Sequence, residues 1–113
     1  MARSTFSGPI TSQNGVRIGA AGTDIVRVVK GAITVDPANL AANTAAEETL
    51  TLTGAAVGDI VILQPPAAGI NAGMLVCDVR VSAADEIKFR LLNSTGGAIN
   101  VASADWNYLL IKF

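Results

Sequence analysis

Three stretches of the chain alternate apolar and polar residues with a period of two, and no other feature restricts the fold as much. In TLTLTG, which begins at Thr49, Leu50 and Leu52 fall on one side and Thr49, Thr51 and Thr53 on the other, the pattern of a strand with one buried face. LVCDVRVS places Leu75, Cys77, Val79 and Val81 on one face and Asp78 and Arg80, with Val76 and Ser82, on the opposite one. EIKFRLLN directs Ile87, Phe89 and Leu91 inward and Lys88 and Arg90 outward, and Asn93 with the Gly96-Gly97 pair ends the run.

The remaining segments read as further strands. DIVRVVKGAITVD is rich in β-branched residues and interrupted at Gly31, which predicts one bulged strand or two. DIVILQPP is apolar from Ile60 to Leu63 and stopped by Pro65 and Pro66, which suits a strand buried on both faces. WNYLLIKF closes the chain as a last strand. In PANLAANTAAEE, Asp36 could cap a short helix with Pro37 at its first position; an irregular loop is the alternative. With turn signals between short strands and no helix long enough for a parallel crossover, the expected fold is all-β: a small antiparallel β-sandwich or barrel with an extended N-terminal arm. The arm is expected over 1–20 and the β domain over 21–113.

A chain of 113 residues makes one domain with a single modest core. Hydrophobic residues are 50% and charged residues 15%, a balance that excludes a disordered chain and a basic nucleic-acid binder. No apolar run reaches the length of a membrane span, and Arg3 is not followed by the apolar stretch of a secretory signal, so a soluble protein without an export signal is expected. Cys77 is the single cysteine and forms no intramolecular disulfide; on its alternating strand it reads as a small core hydrophobe rather than a reactive thiol. The apolar content of so short a chain favours assembly.

Chemistry-bearing constellations are scarce. The chain has no His, which removes Ser-His and Cys-His nucleophile pairs and imidazole metal sites. Glu47 and Glu48 are adjacent and would point to opposite faces of a strand; Asp59 after Gly58 reads as a turn residue, with a meeting of Asp59 and Asp85 or Asp105 as the catalytic alternative. The glycines are spaced as turn residues, not as a phosphate-binding loop. These readings point to a protein that is not an enzyme, with no cofactor, metal or small-molecule substrate. Trp106 and Tyr108 are expected as core or oligomer-interface anchors, or else as an exposed sugar-binding platform. The arginines are dispersed and form no basic stripe.

The opening MARSTFSGPITSQNG buries nothing obvious. Ser, Thr, Gly and Pro leave its backbone free to pair with a partner, and Gly8 and Pro9 oppose a local helix, so the segment suits addition as a strand to an exposed sheet edge. Arg3, Phe6, Pro9 and Ile10 are the candidate partner-binding residues, with Phe6 the large apolar anchor.

MARSTFSGP, the stretch LTGAAVGDIVILQPPAAGINAGMLVCDVRVSAADEIKFRLLNSTGGAI and the closing ASADWNYLLIKF together resemble the small head decoration, or cement, proteins of tailed bacteriophages. The resemblance runs over roughly residues 1–9 and 50–113 and is weakest from Ser12 to Ala46; its signature is GDxVxLxPP followed by GxLVxxxxVSxxDxIxxRLxN and a Gly-rich turn. It implies an antiparallel β domain with an extended arm, a homotrimer, a location on the outer surface of the virion, and the major capsid protein as partner, with no nucleic acid and no membrane. A virion-surface carbohydrate-binding or host-adhesion module is the alternative, and a small carboxylate-using hydrolase or lyase a further one.

Overall fold

In the computed structural model, which describes residues 5–113, six strands form two three-stranded antiparallel sheets. They are β1 (Arg27–Val35), β2 (Thr44–Thr51), β3 (Ile60–Gln64), β4 (Met74–Ala83), β5 (Glu86–Asn93) and β6 (Ala104–Lys112). One sheet has the order β1-β6-β3 and the other β2-β5-β4. The arrangement is a small sandwich rather than a closed barrel, and the described residues contain no helix.

Each central strand carries its large apolar residues at alternate positions, and these fill the space between the sheets. β5 contributes Ile87, Phe89 and Leu91, and β6 contributes Trp106 and Leu110, all fully buried or nearly so. The Phe89 and Trp106 rings lie 5.6 Å apart at an interplanar angle of 43°, within the range of favourable tilted aromatic pairs. Val35, Leu63, Met74 and Val101 pack around them at one end of the core, and Leu52, Ala55, Val61 and Leu110 occupy the other. Asn93 is the buried polar residue of the core: its amide donates to the carbonyls of Leu40 and Gly97, and its carbonyl oxygen accepts from the Thr95 amide and hydroxyl. Full pairing is the condition on which a polar group is tolerated there.

The strands read from alternation are all present, but four local readings are corrected. β4 does not keep one face. Asp78 adopts a left-handed φ of 56° and the register with β5 shifts between Cys77 and Arg80, a bulge that exchanges inside for outside along the strand. Met74 and Val76 therefore face the core before the bulge and Val79 and Val81 after it, while Leu75 and Cys77 are exposed. Cys77 is not a core residue; its thiol lies on the outer face, 3.7 Å from the Arg90 carbonyl.

Gly31 does not interrupt β1, which keeps unbroken register with β6 from Arg27 to Val35. Gly31 is instead the seat for the Tyr108 ring opposite it, because a Cβ there would stand 2.6 Å from the Tyr108 oxygen. β3 is buried on one face only: Val61 and Leu63 are core residues, while Ile60 and Ile62 remain about half exposed. The Ala-rich segment makes no helix. Leu40 bridges to Ile99, Asn43 turns the chain with a φ of 53°, and the residues from Thr44 onward enter β2 along β5, a tertiary pairing that outweighs the helix propensity of alanine.

The bulge makes a direct statement about Cys77. The native thiol should react rapidly with a bulky maleimide, and Cys77→Ser should change the urea unfolding free energy by no more than about 0.5 kcal/mol, as for other exposed positions. Slow labelling with a loss of about 2 kcal/mol, the behaviour of a core position, would contradict the register shift.

Candidate interaction surfaces

The segment that precedes β1 stands away from the sandwich. Every residue from Thr5 to Asn14 is exposed, and Phe6 and Ile10 keep 70% and 67% of their surface in solvent. The radius of gyration is 18.0 Å and the long axis 61 Å, against a radius of about 13 Å for a compact chain of this length. Phe6, Pro9 and Ile10 thus lie on an arm that covers none of its own core. Arg3 lies outside the described residues.

The base of the arm is held by a hairpin that the alternation reading passed over. Val16 and Ile25 exchange backbone hydrogen bonds of 3.0 and 2.8 Å, Arg17 pairs with Asp24 at 2.6 Å, and the Gly22 amide closes the turn on the Gly19 carbonyl at 3.2 Å. The sequence signal was present in VRI and DIV flanking GAAG, with opposite charges at matched positions. Gly15, at a φ of 90°, then turns the arm away, and a side chain there would meet the Ile25 carbonyl.

The two outer faces of the sandwich differ in kind. On the β1-β6-β3 sheet, register places Val28, Ile111 and Ile60 in one row and Lys30, Leu109 and Ile62 in the next. Ile60, Ile62 and Val28 are more than half exposed, and a shallow depression of roughly 240 Å³ lies between Lys30, Ile62, Asn107 and Leu109. On the β2-β5-β4 sheet the outer face is mostly charged and paired within itself, with Leu75 exposed at one end. Glu47 accepts from Arg80 at 2.7 Å and lies 3.3 Å from Lys88; Asp78 takes Arg80 at 2.8 Å and Arg90 at 3.2 Å. The hydrogen bond from Arg80, then that from Lys88, holds the Glu47 carboxyl below its ordinary value, and the same bond to Glu47 raises Arg80. A face of matched ions is satisfied in water, whereas contiguous exposed apolar side chains make the β1-β6-β3 face the candidate interaction surface.

Trp106 and Tyr108 do not form an exposed platform. Trp106 is fully buried against Phe89, and Tyr108 faces the core over Gly31. With Trp106 in the interior and Tyr108 partly buried against the core, the sugar-binding alternative loses the pair of exposed rings it required. Trp106 also lines a cleft of roughly 360 Å³ with Pro66, Ile70, Asn71 and Val101, and its indole nitrogen has no acceptor among the described residues.

The carboxylates are engaged separately. Asp59 takes the Lys112 ammonium at 2.5 Å and the Ala56 amide at 2.9 Å, Asp85 accepts from the Gly54 amide, and Asp105 from the Thr34 hydroxyl. Glu47 and Glu48 do lie on opposite faces of β2. Among the described residues, no group of three His, Cys, Asp or Glu side chains could hold a metal ion. Comparison with family models, with curated proteins and with solved structures finds no match to this chain.

Two of these ion pairs set an acid limit to stability. Asp59, through its bond from Lys112, and Glu47, through Arg80, are both lowered from ordinary values of 3.8 and 4.5. A carboxylate depressed on folding contributes stability above its unfolded value and loses it as the pH falls through the folded one. Urea midpoints should therefore be flat from pH 7 to 5 and fall as the pH drops below about 4.5. Glu47→Gln and Asp59→Asn should each lower the midpoint at pH 7 and flatten that fall; an unchanged acid slope in both variants would show that these pairs are not its source.

Proposed function

We propose that this chain is a capsid decoration, or cement, protein that binds the outer surface of an expanded phage head and stabilises it by bridging neighbouring capsid subunits. The observation that carries the reading is the arm: a solvent-exposed segment bearing Phe6 and Ile10, projected from a sandwich whose own core is complete without it. The sequence resemblance over roughly residues 1–9 and 50–113 supplies the partner. Binding to the assembled shell and not to its dissociated subunits turns affinity into shell stability by linkage, and many identical sites add up.

In this reading the apolar outer face of the β1-β6-β3 sheet is where copies of the chain meet, as a homotrimer, and the arm is the strap to the major capsid protein. Light scattering after size exclusion should give a trimer for the native chain. Ile62→Asp, at a position more than half exposed in the isolated fold, should yield a folded monomer.

Deletion of residues 2–10 should leave folding and oligomeric state unchanged and weaken binding to expanded capsids by an order of magnitude or more. Phe6→Ala should account for much of that loss, since burying such a side chain contributes roughly 1.5 to 3 kcal/mol. If the truncated chain decorates shells as tightly as the full chain in a co-sedimentation titration, the strap assignment is wrong.

A further inference from the structure

Each sheet of the sandwich has two edge strands, whose outward N–H and C=O groups invite another strand unless something blocks them. Three of the four edges are blocked. β2 turns Glu48 to the same side as Ala46 and Leu50, which pack on the core. β4 is broken by register shifts at Cys77/Arg80 and Val81/Ala83. β3 is five residues long, runs into Pro65 and Pro66, and packs beside β4 at its margin of the sandwich.

β1 has no break along its length, and its one inward-side charge, Arg27, is its first residue. It is nine residues long, contains no Pro and no bulge, and lies at the margin where no comparable packing joins the two sheets. The hairpin at its start pairs only Val16 with Ile25, and Gly15 turns the chain aside before it reaches the strand.

Charge gives a second, independent observation. Among the described residues every Lys and Arg lies within ion-pairing distance of a carboxylate except two, Arg27 and Lys30, and both are on β1. Their odd spacing puts them on opposite faces of the sheet. Lys30 stands on the apolar outer face beside Leu109 and Ile62. A strand laid along β1 would set an acid against each cation if its own acids were three residues apart, the arrangement in which cross-strand pairs attract.

This chain cannot supply such a strand. No Asp or Glu precedes Asp24, so the arm is excluded. The acids without an ion pair, Asp36, Glu48, Asp85 and Asp105, are nowhere three residues apart.

We infer that the free edge of β1 accepts, as a fourth strand of the β1-β6-β3 sheet, an extended segment of the shell protein carrying two carboxylates three residues apart. This rests on the cement reading for the source of the segment. The arm then grips the shell from one side, and the shell grips the sandwich from the other.

The probe is the capped nonapeptide Thr-Val-Glu-Val-Thr-Glu-Val-Thr-Val, compared with its counterpart in which Gln replaces Glu. With labelled full-length protein, the acidic peptide should shift and protect backbone amides of Arg27 to Val35. The Gln peptide should bind about five-fold more weakly or worse, as should the acidic peptide to Arg27→Gln/Lys30→Gln. Equal binding of the two peptides, or shifts confined to another edge, overturns the inference. So does concentration-dependent protection of β1 without peptide in the Ile62→Asp chain, which would make a second copy the occupant of the edge.

In parallel, Arg27→Glu/Lys30→Glu should bind expanded shells at least about ten-fold more weakly than the native chain. If native and variant chains bind shells equally, the edge is not used and the cement reading stands. If the native chain does not bind shells at all, the cement reading fails and the shell is overturned as the source, whatever the peptide does.

Discussion

The two sheets of this protein share no continuous hydrogen-bonded ladder, so what unites them is the contact between their central strands. Trp106 on β6 and Phe89 on β5 meet in the middle of the sandwich, and both are fully buried. Everything else is arranged around that contact. β1 and β3 flank β6, β2 and β4 flank β5, and the loops at one end converge on Asn93, whose buried amide ties the chain near Leu40 to the turn at Gly97. The Gly31 position belongs to the same arrangement, since a side chain there would collide with the Tyr108 ring across the β1-β6 pair.

A core built in this way uses one face of each sheet and leaves two outer faces free to differ. The β2-β5-β4 sheet presents Glu47, Asp78, Arg80, Lys88 and Arg90 as a self-satisfied network, which gains little from a partner and would lose hydration if covered. The β1-β6-β3 sheet presents valine, isoleucine and leucine, together with the unpaired cation Lys30. Polarity thus gives the molecule a front and a back, and the arm leaves from the strand that borders the apolar side.

Most of the fold could be read from residue alternation, and the reasons for the exceptions are specific. EIKFRLLN was legible because its apolar residues keep one phase from Ile87 to Leu91. LVCDVRVS was misread at Leu75 and Cys77 because a bulge shifts the phase in mid-strand, and Asp78 in a left-handed conformation leaves no mark in an apolar pattern. IVIL was read as buried on both faces because four successive apolar residues carry no alternation to mark which face is left open. The exposed character of Phe6 and Ile10 was legible in the company they keep, whereas the unpaired state of Arg27 and Lys30 was not, since it depends on where every carboxylate comes to rest.

The pairing of β1 with β6 bears on how the chain is made. Arg27 faces Lys112, so the first strand of the sequence finds its neighbour only in the last. β3 has the same partner, and Trp106 arrives with it. While β6 is still inside the ribosome, β5 can already lie between β2 and β4, but β1 and β3 wait with bare edges and no central strand. The β1-β6-β3 sheet and the core therefore close only once β6 has emerged, and until then the apolar segments that end as one outer face are those most exposed to misassociation among nascent chains.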